Sequence, residues 1–132
     1  MKLGEYRMGQ EQDYLMRTVK DMAKVIAKVV LGKSDTNYEL PAVGNDTTED
    51  FLYRKLLELL VDGEINTAEN LLFEELDGKN KKKLEVALAF YTKLGEYDEA
   101  YLQAHDYTKE EINQGLEDIA RKYGIGNLMT YL

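Results

Sequence analysis

Two stretches decide the fold: Gly63-Glu64-Ile65-Asn66-Thr67-Ala68 and, 32 residues later, Gly95-Glu96-Tyr97-Asp98-Glu99-Ala100. Gly, Glu and Ala stand at matching places, the third place is apolar, and the fourth is a short polar residue able to cap a helix. Glycine permits a tight turn, and a small Ala lets two helix axes approach closely. The same offset pairs Leu52 with Leu84, Leu56 with Leu88, and Leu59 with Tyr91. The helix before each turn therefore repeats its apolar face, and each unit reads as one antiparallel helical hairpin.

Outward from the hairpins the helical pattern continues. Leu15, Val19, Met22, Ile26 and Val29 recur at helical spacings from about Gln10 to Leu31, an amphipathic stripe stopped by Gly32. Residues 34–48 hold most of the turn formers, with the chain's single proline, and read as a loop. Asp46, Thr47 and Thr48 are N-cap candidates for a helix through Leu52, Leu56, Leu59 and Leu60. Asn66 with Glu69 makes a capping-box-like start for the next helix, which Asp77-Gly78 breaks. A further helix is expected over Lys81 to Leu94, a short one near Asp98 to His105, and a last one opened by the Thr108/Glu111 capping box and closed by Gly124. The expected architecture is all-α: a compact bundle of about six helices in one domain over residues 1–132. It comprises an N-terminal helix (1–33), the loop (34–48), the hairpins and a capping helix (49–123), and a tail (124–132).

Over residues 49–107 the chain resembles tetratricopeptide-repeat proteins, whose repeats of ~34 residues are hairpins with this kind of Gly-x-aromatic-x-x-Ala turn. It departs from that pattern in having no Trp, no helix-ending Pro and only two visible units, so the first and last helices are expected to cap the pair. The resemblance implies a non-enzymatic protein-interaction role. Its partner groove would be lined by the first helix of each hairpin: Tyr53, Leu57 and Leu60, then Glu85, Ala89 and Lys93. A Lys/Asn clamp for C-terminal carboxylates is not apparent. The segment Asp13-Tyr14-Leu15-Met16-Arg17, leading into Ala23 to Lys28 and Gly32-Lys33, also resembles an uncharacterised family of small bacterial helical proteins, which brings no function with it.

Composition narrows the chemistry. The 132 residues carry 17 Lys+Arg against 25 Asp+Glu, a formal −8, which argues against general nucleic-acid binding. The charge is uneven, net +3 over residues 1–33 and net −11 over the rest, so the first segment is expected to pack on the acidic remainder. With no Cys there are no thiol nucleophiles, iron–sulfur ligands or disulfides. No apolar run supports secretion or a membrane span, and the expected compartment is the cytoplasm.

Candidate catalytic groups are few. His105 is the only imidazole, so a His-based metal cluster or nucleophile–His relay would rest on that one side chain, and no metal or cofactor is expected. Gly32-Lys33-Ser34 lacks the earlier Gly and the strand of a phosphate-binding loop and reads as a helix stop. Adjacent acids at Glu74/Glu75, Glu110/Glu111 and Glu117/Asp118 point about 100° apart on a helix and do not converge by themselves. The run Lys79 to Lys83 reads as a solvated helix start.

Two partner surfaces follow. One is the groove above; the other is the stripe Leu15, Val19, Met22, Ile26 and Val29, through which the chain is expected to self-associate as a homodimer, with packing against the rest of the chain as the other use of the stripe. Two alternatives stay open: a small enzyme using carboxylates in an inter-helix pocket, and peripheral binding of an anionic membrane through the basic side of the first helix.

Overall fold

The computed structural model describes residues 17–42 and 44–127. The expected start of the first helix, with Leu15, and the end of the tail lie outside the described residues. Among those described, the chain is all-α. Helix α1 covers 17–26 and runs into a π-helical turn, Ala27–Leu31; α2 is Thr48–Val61, α3 Ile65–Glu75, α4 Lys81–Gly95, α5 Glu99–Ala104 and α6 Lys109–Lys122.

Local chemistry sets most boundaries. Thr47 opens α2 with a capping box: the Asp50 N–H donates to Thr47 Oγ1 (3.1 Å) and the Thr47 N–H to Asp50 Oδ2 (2.9 Å). Thr108 and Glu111 do the same for α6, while Asn80 and Asp98 cap α4 and α5 by accepting from Lys83 and Tyr101. Gly63, at φ 75°, turns the chain between α2 and α3, and a Cβ there would lie 2.5 Å from the His105 ring. The start of α3 corrects one expectation. It begins at Ile65 without a side-chain cap; Asn66 instead donates to the Asp106 carbonyl (3.0 Å), and Glu69 turns inward to two tyrosines.

The core sits between α1, α2, α3, α4 and α6. Leu56, Leu72, Leu84, Leu88, Phe90, Ile112, Leu116 and Ile119 are fully buried in it. Helices α2 and α3 pack as the first hairpin, and α4 packs on α2, α6 and the π-helical turn. The second unit differs from the first because α5 is only six residues long. Helix α6 lies antiparallel along α4, with Gly115 against Tyr91 and the Tyr123 hydroxyl donating to the Asn80 carbonyl (2.8 Å).

The apolar stripe of α1 belongs to this core. Val19, Met22 and Ile26 are buried, together with Ala23 and Ala27, so their surface is turned into the chain and away from any twin. Val29 departs from the stripe and is 51% exposed. The π-helical turn is the cause: its wider pitch delays the helical phase, so Val30 and Leu31 reach the core in its place.

Candidate functional site

The face on which the first helices of the hairpins are expected to form a groove is covered by the chain itself. Residues 33–42, neither helix nor strand, run as a strap over the face formed by α2 and α4, with a local turn where the Asn37 N–H donates to Asp35 Oδ1 (3.1 Å). Lys33 pairs with Glu85 at 2.5 Å, and the Thr36 and Thr92 hydroxyls are 3.0 Å apart. The Tyr38 ring packs at 4.8 Å on Tyr53, with Lys82 Nζ 4.8 Å from its centroid on a cation–π contact. Its hydroxyl donates to Asp50 Oδ1 (2.5 Å). Farther along, Arg54 holds Asp46 through Nε (2.5 Å) and Nη2 (3.1 Å), and reaches the Pro41 carbonyl (3.4 Å).

The six groove residues therefore occupy different settings. Tyr53, Ala89 and Lys93 share a cleft of about 340 Å³ with Tyr38, Thr92 and Glu96. Glu85 lies beside this cleft, engaged by the strap. Leu57, about 40° round the helix from Tyr53, lines a separate shallow cleft with Leu40, Glu58 and Val61. Leu60 is 1% exposed and belongs to the core; two turns beyond Tyr53 it lies on nearly the same side of α2, but at the buried end of the helix, where it is out of reach of any partner.

Asp50 is the anchor of the strap. It is a buried carboxylate, and the Thr47 N–H, then the Tyr38 hydroxyl, hold its pKa below the usual carboxylate value. Burial, then the hydrogen bond to Asp50, pushes the Tyr38 phenol well above its ordinary value. One pair of groups thus fixes both the start of α2 and the middle of the strap. Sequence reading names Asp46, Thr47 and Thr48 as N-cap candidates and singles out no role for Asp50. The signal for one was Tyr38 and Leu40-Pro41, an aromatic and two apolar residues inside an otherwise polar loop.

A second cleft, of about 250 Å³, lies between α3 and α6 and is lined by Glu69, Phe73, Glu111, Gln114 and Asp118. Three carboxylates converge there because α6 contributes one acid from each of its adjacent pairs and α3 adds Glu69. Each is already bonded. Glu69 Oε2 accepts from the buried Tyr91 (2.5 Å) and Tyr107 (2.7 Å) hydroxyls, and burial, with the Glu69 charge contributing, raises both phenols far above their usual pKa. Glu111 closes the Thr108 cap. Asp118 accepts from Gln114 (3.0 Å) and pairs with Arg121.

The remaining chemical candidates have structural settings. The His105 Nδ1 lies 2.8 Å from the Tyr101 carbonyl, and its ring packs on Tyr101, which stacks on Tyr97. In the lysine run, Lys83 lies 3.8 Å from Glu75 while Lys82 covers Tyr38. Arg17, Lys20, Lys24 and Lys28 form an exposed basic side of α1. Among the described residues no group of three or more His, Cys, Asp or Glu could hold a metal ion, and no helix is long and apolar enough to cross a membrane.

The chain belongs to a family of unknown function, DUF6483, which matches residues 9–124 and so takes in α1, the strap and all the helices that follow. No curated protein and no solved structure matches it.

Proposed function

We propose that the protein is a non-enzymatic protein-interaction module, a tetratricopeptide-like pair of hairpins in the bacterial cytoplasm, whose α2/α4 face takes a non-helical peptide. The observation that carries this reading is the strap. A non-helical segment lies across that face with an ion pair, a hydroxyl pair, an aromatic pair, a cation–π contact and a carbonyl contact along its length. The face is therefore complementary to a non-helical length of chain, and the strap is its resident occupant.

The carboxylate-enzyme alternative has the α3/α6 cleft in its favour, yet all three acids there serve tyrosines, a helix cap or an arginine. A general acid or base needs a lone pair or proton free to meet a substrate, and spending these groups on the fold favours the interaction reading. Peripheral membrane binding keeps the basic side of α1 as its support, opposed by the net −8 of the whole chain.

The test is a labelled synthetic peptide of residues 33–42, titrated by fluorescence anisotropy against wild type and Tyr38→Ala. A face filled by its own strap binds a competitor weakly, in proportion to the fraction of time it stands open. Tyr38→Ala is expected to bind the peptide at least about tenfold more tightly than wild type, and adding Tyr53→Ala is expected to abolish the gain. A Tyr38→Ala protein of unchanged helical circular dichroism that ignores the peptide would refute the reading.

A further inference from the structure

From the outer face of α2 we infer a second interaction surface, and its partner is a second copy of this chain. Phe51 and Val61 are 63% and 81% exposed, both on α2. Single exposed apolar residues are ordinary on any surface. These two, however, belong to a row Phe51, Arg54, Glu58, Val61 whose spacings of three, four and three keep it along one side of the helix. Arg54 and Lys55 occupy its N-terminal half, Glu58 and Asp62 its C-terminal half.

That order makes the row complementary to itself when reversed. With two α2 helices antiparallel about a two-fold axis, Phe51 of one copy lies against Val61 of the other, and Glu58 faces Lys55, each contact occurring twice, while Arg54 stays with Asp46 of its own chain. A parallel arrangement would set Lys55 against Lys55 and Glu58 against Glu58. Lys55 and Glu58 have side chains 59% and 71% exposed and lie 4.0 Å apart within the helix, an exposed pair held weakly enough to exchange partners. Helix α2 has 14 residues, about 21 Å in length. A contact of that size falls at or below the roughly 1,200 Å² lower bound of stable interfaces, so a weak, concentration-dependent dimer is the expected state. The proposal extends the interaction-module reading to the outer side of α2, which borders the strap at Leu40, and the peptide titration can fail while the dimer stands.

Sedimentation equilibrium up to about 1 mM tests it. Wild type is expected to self-associate, and Phe51→Asp, an exposed change compatible with the fold, to weaken association at least about tenfold. Lys55→Glu and Glu58→Lys are each expected to weaken it alone, and a mixture of the two variants to recover it, since Glu58 of the first then meets Lys55 of the second and the introduced carboxylate of the first meets the introduced amine of the second. Monomeric wild type throughout, association untouched by Phe51→Asp, or weakened variants that fail to recover on mixing would each overturn the proposal.

Discussion

Replacing Gly115 by alanine sets two effects of opposite sign against each other. Gly115 lies within α6, where alanine is favoured over glycine by about 1 kcal/mol through backbone entropy. A Cβ at this position would overlap the Tyr91 ring, coming within 2.7 Å of Cε1 and closer still to the hydroxyl. Tyr91 is fully buried and its hydroxyl is engaged by Glu69, so any shift of the ring away from the new methyl disturbs that bond. Forcing a methyl into such a core costs about 1–3 kcal/mol, and a disturbed hydrogen bond to a charged acceptor about 1.5–3 kcal/mol more. The expected net is a destabilisation of about 2–4 kcal/mol after the propensity gain. At this chain length that lowers the Tm by roughly 8–15 °C. Thermal unfolding followed by circular dichroism measures it. In a Tyr91→Leu background the overlap is gone, and Gly115→Ala is expected to be neutral or mildly stabilising. A Gly115→Ala protein with a Tm equal to or above that of wild type would refute the close approach of α4 and α6 on which the estimate rests.

Two neighbouring positions of the first helix separate in the same assay. Ile26→Lys places an unpaired charge in the core and is expected to cost about 4 kcal/mol or more, whereas Val29→Lys, on the exposed side of the π-helical turn, is expected to stay within about 0.5 kcal/mol of wild type; comparable losses at both would contradict the phase shift at Ala27–Leu31. The strap carries a pH signature. The depressed pKa of Asp50 means that its contribution is present above the unfolded carboxylate value of about 3.9 and fades as pH falls through the lower folded value. The raised pKa of Tyr38 means that its contribution is complete below about pH 10 and is lost as the solution becomes more alkaline. The Tm difference between wild type and Tyr38→Phe is therefore expected to hold level between about pH 5 and 9 and to shrink on both sides, and a difference unchanged between about pH 5 and 2 would count against the Tyr38–Asp50 bond.

What could be read from the sequence divides by range. The Thr108/Glu111 box, the Asn80 and Asp98 caps and the Gly63 turn involve groups within a few residues of one another, and the apolar rows of α2, α4 and α6 repeat at a fixed spacing, so local rules reach them. Glu69 was misread by the same rules. Three residues after Asn66 it satisfies a capping pattern, but its partners Tyr91 and Tyr107 lie 22 and 38 residues away, and no local pattern ranks a distant phenol above a nearby N–H. Val29 was misplaced because one widened turn shifts every later residue, and the periodicity of Leu15 to Ile26 contains no sign of where it falls. The strap was invisible for a related reason. A segment that is neither helix nor strand has no period to read, and its contacts Lys33–Glu85 and Thr36–Thr92 close loops of more than fifty residues.

The strap also explains why one surface is filled and another left open. From Gly32 the chain must reach Thr47 to begin α2, and it does so by crossing the α2/α4 face, where Tyr38 finds Asp50 and Tyr53. Helix α1 is thereby held at the opposite end of that crossing, beside α4 and α6, where Val19, Ala23 and Leu116 share a cleft with Thr36 and Thr92. Helix α1 consequently does not cover the outer side of α2, the capping position that two stacked hairpins would leave for it, and Phe51 and Val61 remain in solvent. Burying the apolar stripe of α1 removes it as a dimer seam, and the same route exposes a different row with the charge order of a self-complementary helix. Exposed apolar side chains by themselves need no partner; it is the reversed order of charge between Phe51 and Val61, Lys55 before Glu58, that fits another copy of α2.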